Sequence, residues 1–170
     1  MTGLCFVDAN VLVYVRDPRD PAKQARAKAW HEHLWRERRA RTSMQVLSEY
    51  YVNVKRLGGV AAGELWKSVE RYFAWNPQAI DEPLLRRARE NEERWKLSWW
   101  DSMVVAAAQL QDCVLLLTED LQDGAAFDNV TVRSPFKLSV EEPAPAYAAG
   151  PIAIASPHRP RGRPRRSAFA

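Results

Sequence analysis

The order of apolar segments predicts an α/β fold with a short, mainly parallel sheet flanked by helices. Three observations carry this. Short continuous apolar runs, Leu4–Val7 and Val114–Thr118, read as strands buried on both faces. Helical periodicity fills the chain between them, and a last short apolar run, Val130–Val132, follows. Strands separated by helices favour parallel pairing.

Leu4–Val7 ends in Asp8, and Asn10 is expected to cap the helix that follows. Asp17-Pro18 and Asp20-Pro21 break that helix. Lys23 to Arg38 is amphipathic, with Ala25, Ala29 and Trp30 opposite a charged face. Thr42-Ser43 introduces a helix over Gln45–Leu57 with the ridge Val46, Tyr50, Val54 and Leu57, and Gly58-Gly59 stops it. Ala61–Trp75 is a further helix, Asn76–Ile80 a brief strand, and Glu82–Lys96 a charged helix with Leu84, Leu85 and Ala88 inward. Trp99–Leu110 is almost entirely small or apolar, so it is expected as the central buried helix. Pro135-Phe136 closes the domain, giving residues 1–137 as one globular unit, and no internal repeat is found.

Residues 138–170 are expected to form a disordered Pro/Ala/Arg-rich basic tail, since seven of the 11 prolines fall at or after Pro135. Lys137 and the residues after it hold six of the 25 basic residues and two of the 21 acids, which leaves 19 of each sign before them. The basic balance therefore belongs to the tail, and a nucleic-acid argument from net charge alone fails. No apolar run reaches the roughly 18 residues that span a bilayer, and the first residues lack a basic region followed by an apolar one. A cytoplasmic protein without a membrane segment is expected. Cys5 and Cys113 match no metal spacing and read as buried free thiols.

The chemistry lies in four acids at the edges of apolar segments, where carboxylates are unfavourable unless they have a task. Asp8 and Asp120 follow strands, at the end of a parallel sheet where ligands bind. Asp101 fits a capping box with Ser98, which by itself explains its presence. Glu49 sits at the margin of a helical apolar stripe, and Thr118 with Asp120 can make a simple turn. Singly each has a purely structural explanation. Together they are acids that repel one another unless a cation intervenes, and oxygen-only ligands favour Mg²⁺ or Mn²⁺.

FVDANVLVY, TSMQVLSEYY, LSWWDSMVVAAA, and LLLTEDLQDG followed by VTVRSPF resemble the PIN-domain ribonucleases, especially the VapC toxins of bacterial toxin–antitoxin pairs. The resemblance covers residues 4 to 136. It implies a three-layer α/β/α fold and a metal-dependent endoribonuclease that hydrolyses RNA by in-line attack of water. Asp8, Glu49, Asp101 and Asp120 would be its catalytic residues, with Asp8 and Asp101 as principal metal ligands. Asn10, Ser43 and Thr118 would support them, Asn10 by holding Asp8 and Ser43 by positioning water or phosphate. It also implies an RNA substrate, a cognate antitoxin and a homodimer, with Tyr50, Tyr51, Trp66, Tyr72, Phe73 and Trp75 divided between core and interface. Where similar toxins often have His, this chain has Asp123, which is expected to face solvent.

The competing readings are a PIN nuclease outside toxin–antitoxin biology and a nucleic-acid-binding or regulatory protein. The latter would use the run RPRGRPRR from Arg159 to Arg166. Its Arg161, Arg163 and Arg165 resemble an AT-hook and would make a weak DNA contact in the minor groove. An aspartyl phosphatase is disfavoured because Asn10 stands where such enzymes need a second acid. His31 and His33, two residues apart, point to different helix faces and are expected at the surface.

Overall fold

Strand β1 (Leu4–Val7) is the second strand of a five-stranded sheet, its last three residues fully enclosed. The structure, a computed structural model, describes residues 3–138 and 140. After β1 come α1 (Ala9–Arg16), α2 (Pro21–Glu37), β2 (Ala40–Arg41), α3 (Met44–Leu57), α4 (Ala62–Tyr72), a 3₁₀ turn (Phe73–Trp75), α5 (Glu82–Trp95) and α6 (Trp99–Leu110). Strands β3 (Cys113–Leu117), β4 (Ala126–Phe127) and β5 (Val130–Arg133) complete the order. The sheet runs β2-β1-β3-β5-β4; every pairing is parallel except β4 with β5.

This topology fixes where a site can form. The chain leaves β1 for β2 on one side, then returns across β1 to β3 on the other. The first connection packs α1 on α2 and also on α3 of the second, while α5 and α6 of the second pack on each other and α6 on β3. The strand order reverses between β1 and β3, and their carboxyl ends open a crevice there. Val7 pairs with Leu117, so Asp8 and Thr118 emerge side by side although 110 residues separate them.

Helix boundaries follow local chemistry. Asp20 accepts from the Lys23 N–H at 3.0 Å and Pro21 opens α2, two residues before the expected start. Gly58, at φ 74°, stops α3 as the sequence predicts. Asp81 caps α5, and Lys96 closes it in the left-handed conformation. Helix α6 buries Asp101 through Ala108 without interruption, as its composition predicts.

Several expectations are corrected. The cap of α1 is Asp8, whose carboxylate accepts from the Ala9 N–H at 2.7 Å; Asn10 sits inside the first turn. Asp8 is extended where it leaves β1, and it stands two residues before the expected cap. Asn76–Ile80 forms no strand beyond one parallel bridge from Gln78 to Ser43. Helix α4 tightens into its 3₁₀ turn after Tyr72 instead of running to Trp75. Leu138 is enclosed, its carbonyl accepts from Trp30 Nε1 at 3.2 Å, and Val140 packs on the core, so the packed chain continues past residue 137. The Arg161, Arg163 and Arg165 run lies outside the described residues.

His31 is also not a surface residue. Its Nε2 accepts from Trp35 Nε1 at 3.0 Å and lies 3.1 Å from the Tyr72 hydroxyl, and its ring packs against Trp75. Burial, with Arg71 and Arg16 nearby, lowers its pKa to about 4. His33, beside Arg36, is at the surface as expected. Both cysteines are buried free thiols; burial raises Cys5 well above its usual value and pushes Cys113 up to about 12. No helix among the described residues is long and apolar enough to cross a membrane.

Candidate active site

At the carboxyl ends of β1 and β3 one hydroxyl organises the polar network. Thr118 Oγ1 donates to Asp8 Oδ2 at 2.7 Å and accepts from Asn10 Nδ2 at 2.9 Å and from the Asp120 N–H at 3.1 Å. Asn10 Nδ2 also reaches Asp120 Oδ2 at 2.9 Å and, more weakly, Asp8 Oδ2 at 3.3 Å. Asp8 Oδ1 is occupied by the cap of α1. Both oxygens of a fully buried carboxylate are thus held, which offsets the cost of desolvating its charge. Asn10 joins two acids from opposite ends of the chain and donates to both. Holding Asp8, the task expected of it, is half of what it does.

Asp101 enters from α6. Ser98 Oγ accepts from the Asp101 N–H at 3.1 Å and donates to Asp101 Oδ2 at 2.7 Å. The N-cap bond of the expected capping box is formed, with Ser98 Oγ binding the carboxylate, and Asp101 lines a cavity of about 680 Å³ together with Asp120. Contact with the helix cap and a place in the cavity wall therefore coexist in one residue.

Glu49 approaches from α3. Gln45, one turn earlier, donates from Nε2 to Glu49 Oε1 at 2.9 Å and reaches the Trp100 carbonyl at 3.5 Å, tying Glu49 to the start of α6. Gln45 is itself buried. Sequence reasoning missed it, although its spacing of four from Glu49 on a helix carries the signal. The Ser43 hydroxyl accepts from the Val46 N–H at 3.2 Å as the cap of α3.

Asp123 does not face open solvent. It accepts from Arg133 Nε at 3.1 Å and from the Ser134 N–H at 2.8 Å, pinning the loop after β3 to the end of β5. Beside it Lys23 Nζ bonds Glu119 at 2.6 Å and Tyr14 at 3.1 Å, over the rings of Tyr14 and Phe136. Glu119 holds the Lys23 ammonium well above its ordinary pKa.

Buried Asp8 and Asp101 offer only hard oxygen donors, which suits Mg²⁺ or Mn²⁺ rather than a soft ion. Among the described residues no three His, Cys, Asp or Glu side chains converge closely enough to hold an ion by themselves. Mg²⁺ needs no such cage: one or two carboxylates are enough when water and phosphate fill the remaining positions. The donor chemistry fits the ion.

The chain is similar in fold to a toxin–antitoxin complex from Klebsiella pneumoniae, at 19% identity and TM-score 0.57, covering 79% of this chain and 99% of that one. It is also similar to VapC20 of Mycobacterium tuberculosis, a toxin that cleaves the sarcin–ricin loop, at 20% identity and TM-score 0.52, over 66% of this chain and 86% of that one. No curated protein matches it in sequence. The PIN domain family model matches residues 5–130, which takes in β1 through the start of β5 and all four acids. With a mainly parallel sheet and acids from its β1 and β3 ends, the chain belongs to the PIN-domain family.

Proposed function

We propose that this protein is a Mg²⁺- or Mn²⁺-dependent endoribonuclease, the toxin of a toxin–antitoxin pair acting in the cytoplasm. Its catalytic residues are Asp8, Glu49, Asp101 and Asp120, with Asp8 and Asp101 holding the ion. The observation that carries this is the Asn10 amide binding Asp8 and Asp120 together at the strand-order reversal of a PIN fold. The fold likeness to a toxin–antitoxin complex and to an RNA-cleaving toxin supports the choice of substrate and of an antitoxin partner. A homodimer belongs to the same reading, supported by exposed Val52, Trp66 and Phe73 on and beside α3 and α4.

When bound, a divalent ion supplies the positive charge that lets carboxylates and a phosphodiester share a cavity, and it makes water more acidic. The protein's own residues do the rest. Ala9, Thr118 and Asn10 fix both oxygens of Asp8, and Ser98 fixes Asp101, so no reorganisation is needed when substrate arrives. Asp120, half-buried and lining the cavity, takes the proton of the attacking water. Glu49, held by Gln45, stands at the α3 side and orients that water.

The test is cleavage of total bacterial RNA by purified protein with Mg²⁺, with Mn²⁺ and with EDTA, beside Asp8→Asn and Asp101→Asn. Both variants are checked for folding because Asp8 caps α1 and Asp101 is bound by Ser98, the cap of α6. Metal-dependent cutting that disappears in the folded variants is expected. Equal cutting by wild type and variants means a contaminant and removes the site, and no cutting of any RNA pool removes the nuclease reading.

A further inference from the structure

We infer that Lys96 and Lys137 form a phosphate-binding pair that lays a single-stranded RNA backbone across the acids, an inference that rests on the nuclease reading above. The acid cavity is not uniformly acidic. Lys23, Lys96 and Lys137 line it together with Asp101, Glu119, Asp120 and Asp123. Two of those acids are neutralised locally, Glu119 by Lys23 at 2.6 Å and Asp123 by Arg133 at 3.1 Å. What faces an incoming polyanion is the pair Asp101 and Asp120, flanked by Lys96 and Lys137. Both lysines are exposed, and neither forms an ion pair among the described residues.

Their positions give the pair a direction. Lys96 closes α5, two residues before Ser98 and five before Asp101, so it sits on the α5–α6 side of the cavity. Lys137 follows β5 between Phe136, whose ring packs edge-on to Tyr14 of α1, and Leu138, whose carbonyl is bound by Trp30 of α2. It therefore sits on the α1–α2 side. Both lysines line the same cavity as Asp101 and Asp120, so a chain passing from one ammonium to the other runs through the space that these acids line. An ammonium is a compact point charge suited to one phosphate. A cavity lined by acids alone would repel RNA electrostatically; cations at its rim reverse that. A flexible single strand can follow such a path, whereas a rigid duplex presents both backbones at fixed spacing.

The test measures binding of a labelled single-stranded oligoribonucleotide to the full chain in EDTA, by fluorescence anisotropy over a NaCl series. Lys96→Gln, Lys137→Gln and the double variant are compared with wild type and with Lys55→Gln, an exposed lysine of α3 outside the cavity. Each phosphate contact on a single strand contributes about 0.7 to the slope of log K against log salt. Each cavity variant is expected to flatten the slope by about 0.7 and the double by about 1.4, with Lys55→Gln unchanged. All proteins carry the same basic C-terminal run, so its contribution cancels. With RNA cleaved by wild type, unchanged slopes in the cavity variants overturn this inference alone, as does an equal flattening in Lys55→Gln. A wild-type protein that neither binds nor cuts RNA overturns the nuclease reading and this one with it.

Discussion

Thr118 has no hydrogen-bonding capacity to spare. A hydroxyl offers one donor and two acceptor positions, and Asp8, Asn10 and the Asp120 N–H use all three. Thr118→Val keeps the shape and removes every one of those bonds, so buried Asp8 loses its 2.7 Å donor. It is expected to cost about 1–3 kcal/mol of stability in urea unfolding and to lower RNA cleavage, while Thr118→Ser retains both. His31 makes a different prediction. Its folded pKa, about 4, lies below the ordinary 6.5, so the folded state disfavours the proton. The stability it contributes is complete above pH 6.5 and is lost as pH falls toward 4. Lowering pH from about 7 to about 5 should cost about 2 kcal/mol through this one group. In His31→Phe that increment should disappear from the difference between urea midpoints at the two pH values. An equal pH dependence in both proteins would mean that the imidazole titrates freely.

At the scale of elements, α6 joins cap and chemistry in a single turn. Removing the Ser98 hydroxyl unties the first turn of the helix and also releases Asp101 Oδ2. Ser98→Ala should therefore lose about 1 kcal/mol of stability, as an N-cap does. Its kcat should fall by about 10- to 100-fold, the scale for losing a partner that orients a ligand residue. A fall in stability with kcat intact would confine Ser98 to capping. The same double duty explains what the sequence could reveal here. Ser98 and Asp101 at a spacing of three are visible as a capping box, and the apolar face of Trp99–Leu110 announces a buried helix. Whether the acid also faces a cavity depends on β3 and on the loop after it, which no local pattern encodes. Strands β2 and β4 were illegible for a related reason: each is two residues long, and Ala40–Arg41 is a strand only because Cys5 and Phe6 lie beside it. His31 was misread because helical periodicity sorts faces but cannot know that Trp75 will cover one of them.

At the scale of the whole molecule, the last described residues close the core. Trp30 is almost completely enclosed and bonds the Leu138 carbonyl, so the segment after β5 straps α2. A chain ending at residue 140 should keep its unfolding midpoint and its RNA cleavage. A chain ending at residue 136 loses buried Leu138 and the Trp30 bond, and is expected to lose about 2–5 kcal/mol by urea unfolding. Loss of cleavage with stability intact in the longer truncation would instead give residues 141–170 a part in substrate delivery. The α/β class was legible from the apolar runs, and Asp8 and Asp120 stand out as acids that follow strands, whereas Glu49 and Asp101 lie in helices. The lysines facing the acids were not legible, since Lys96 and Lys137 look like ordinary surface residues until β5 brings residue 137 into the cavity that residue 101 lines.

The parallel pairing of β1 with β3 also sets a timetable. Asp8 leaves the ribosome well before its partner hydroxyl, which lies 110 residues later. A nascent chain still lacking Thr118 and Asp120 has an unfilled place in its sheet and no organised acid cluster, whatever helices it has already formed. The cluster is thereby withheld until synthesis has passed the third strand, and a prematurely terminated product lacks the arrangement of acids altogether.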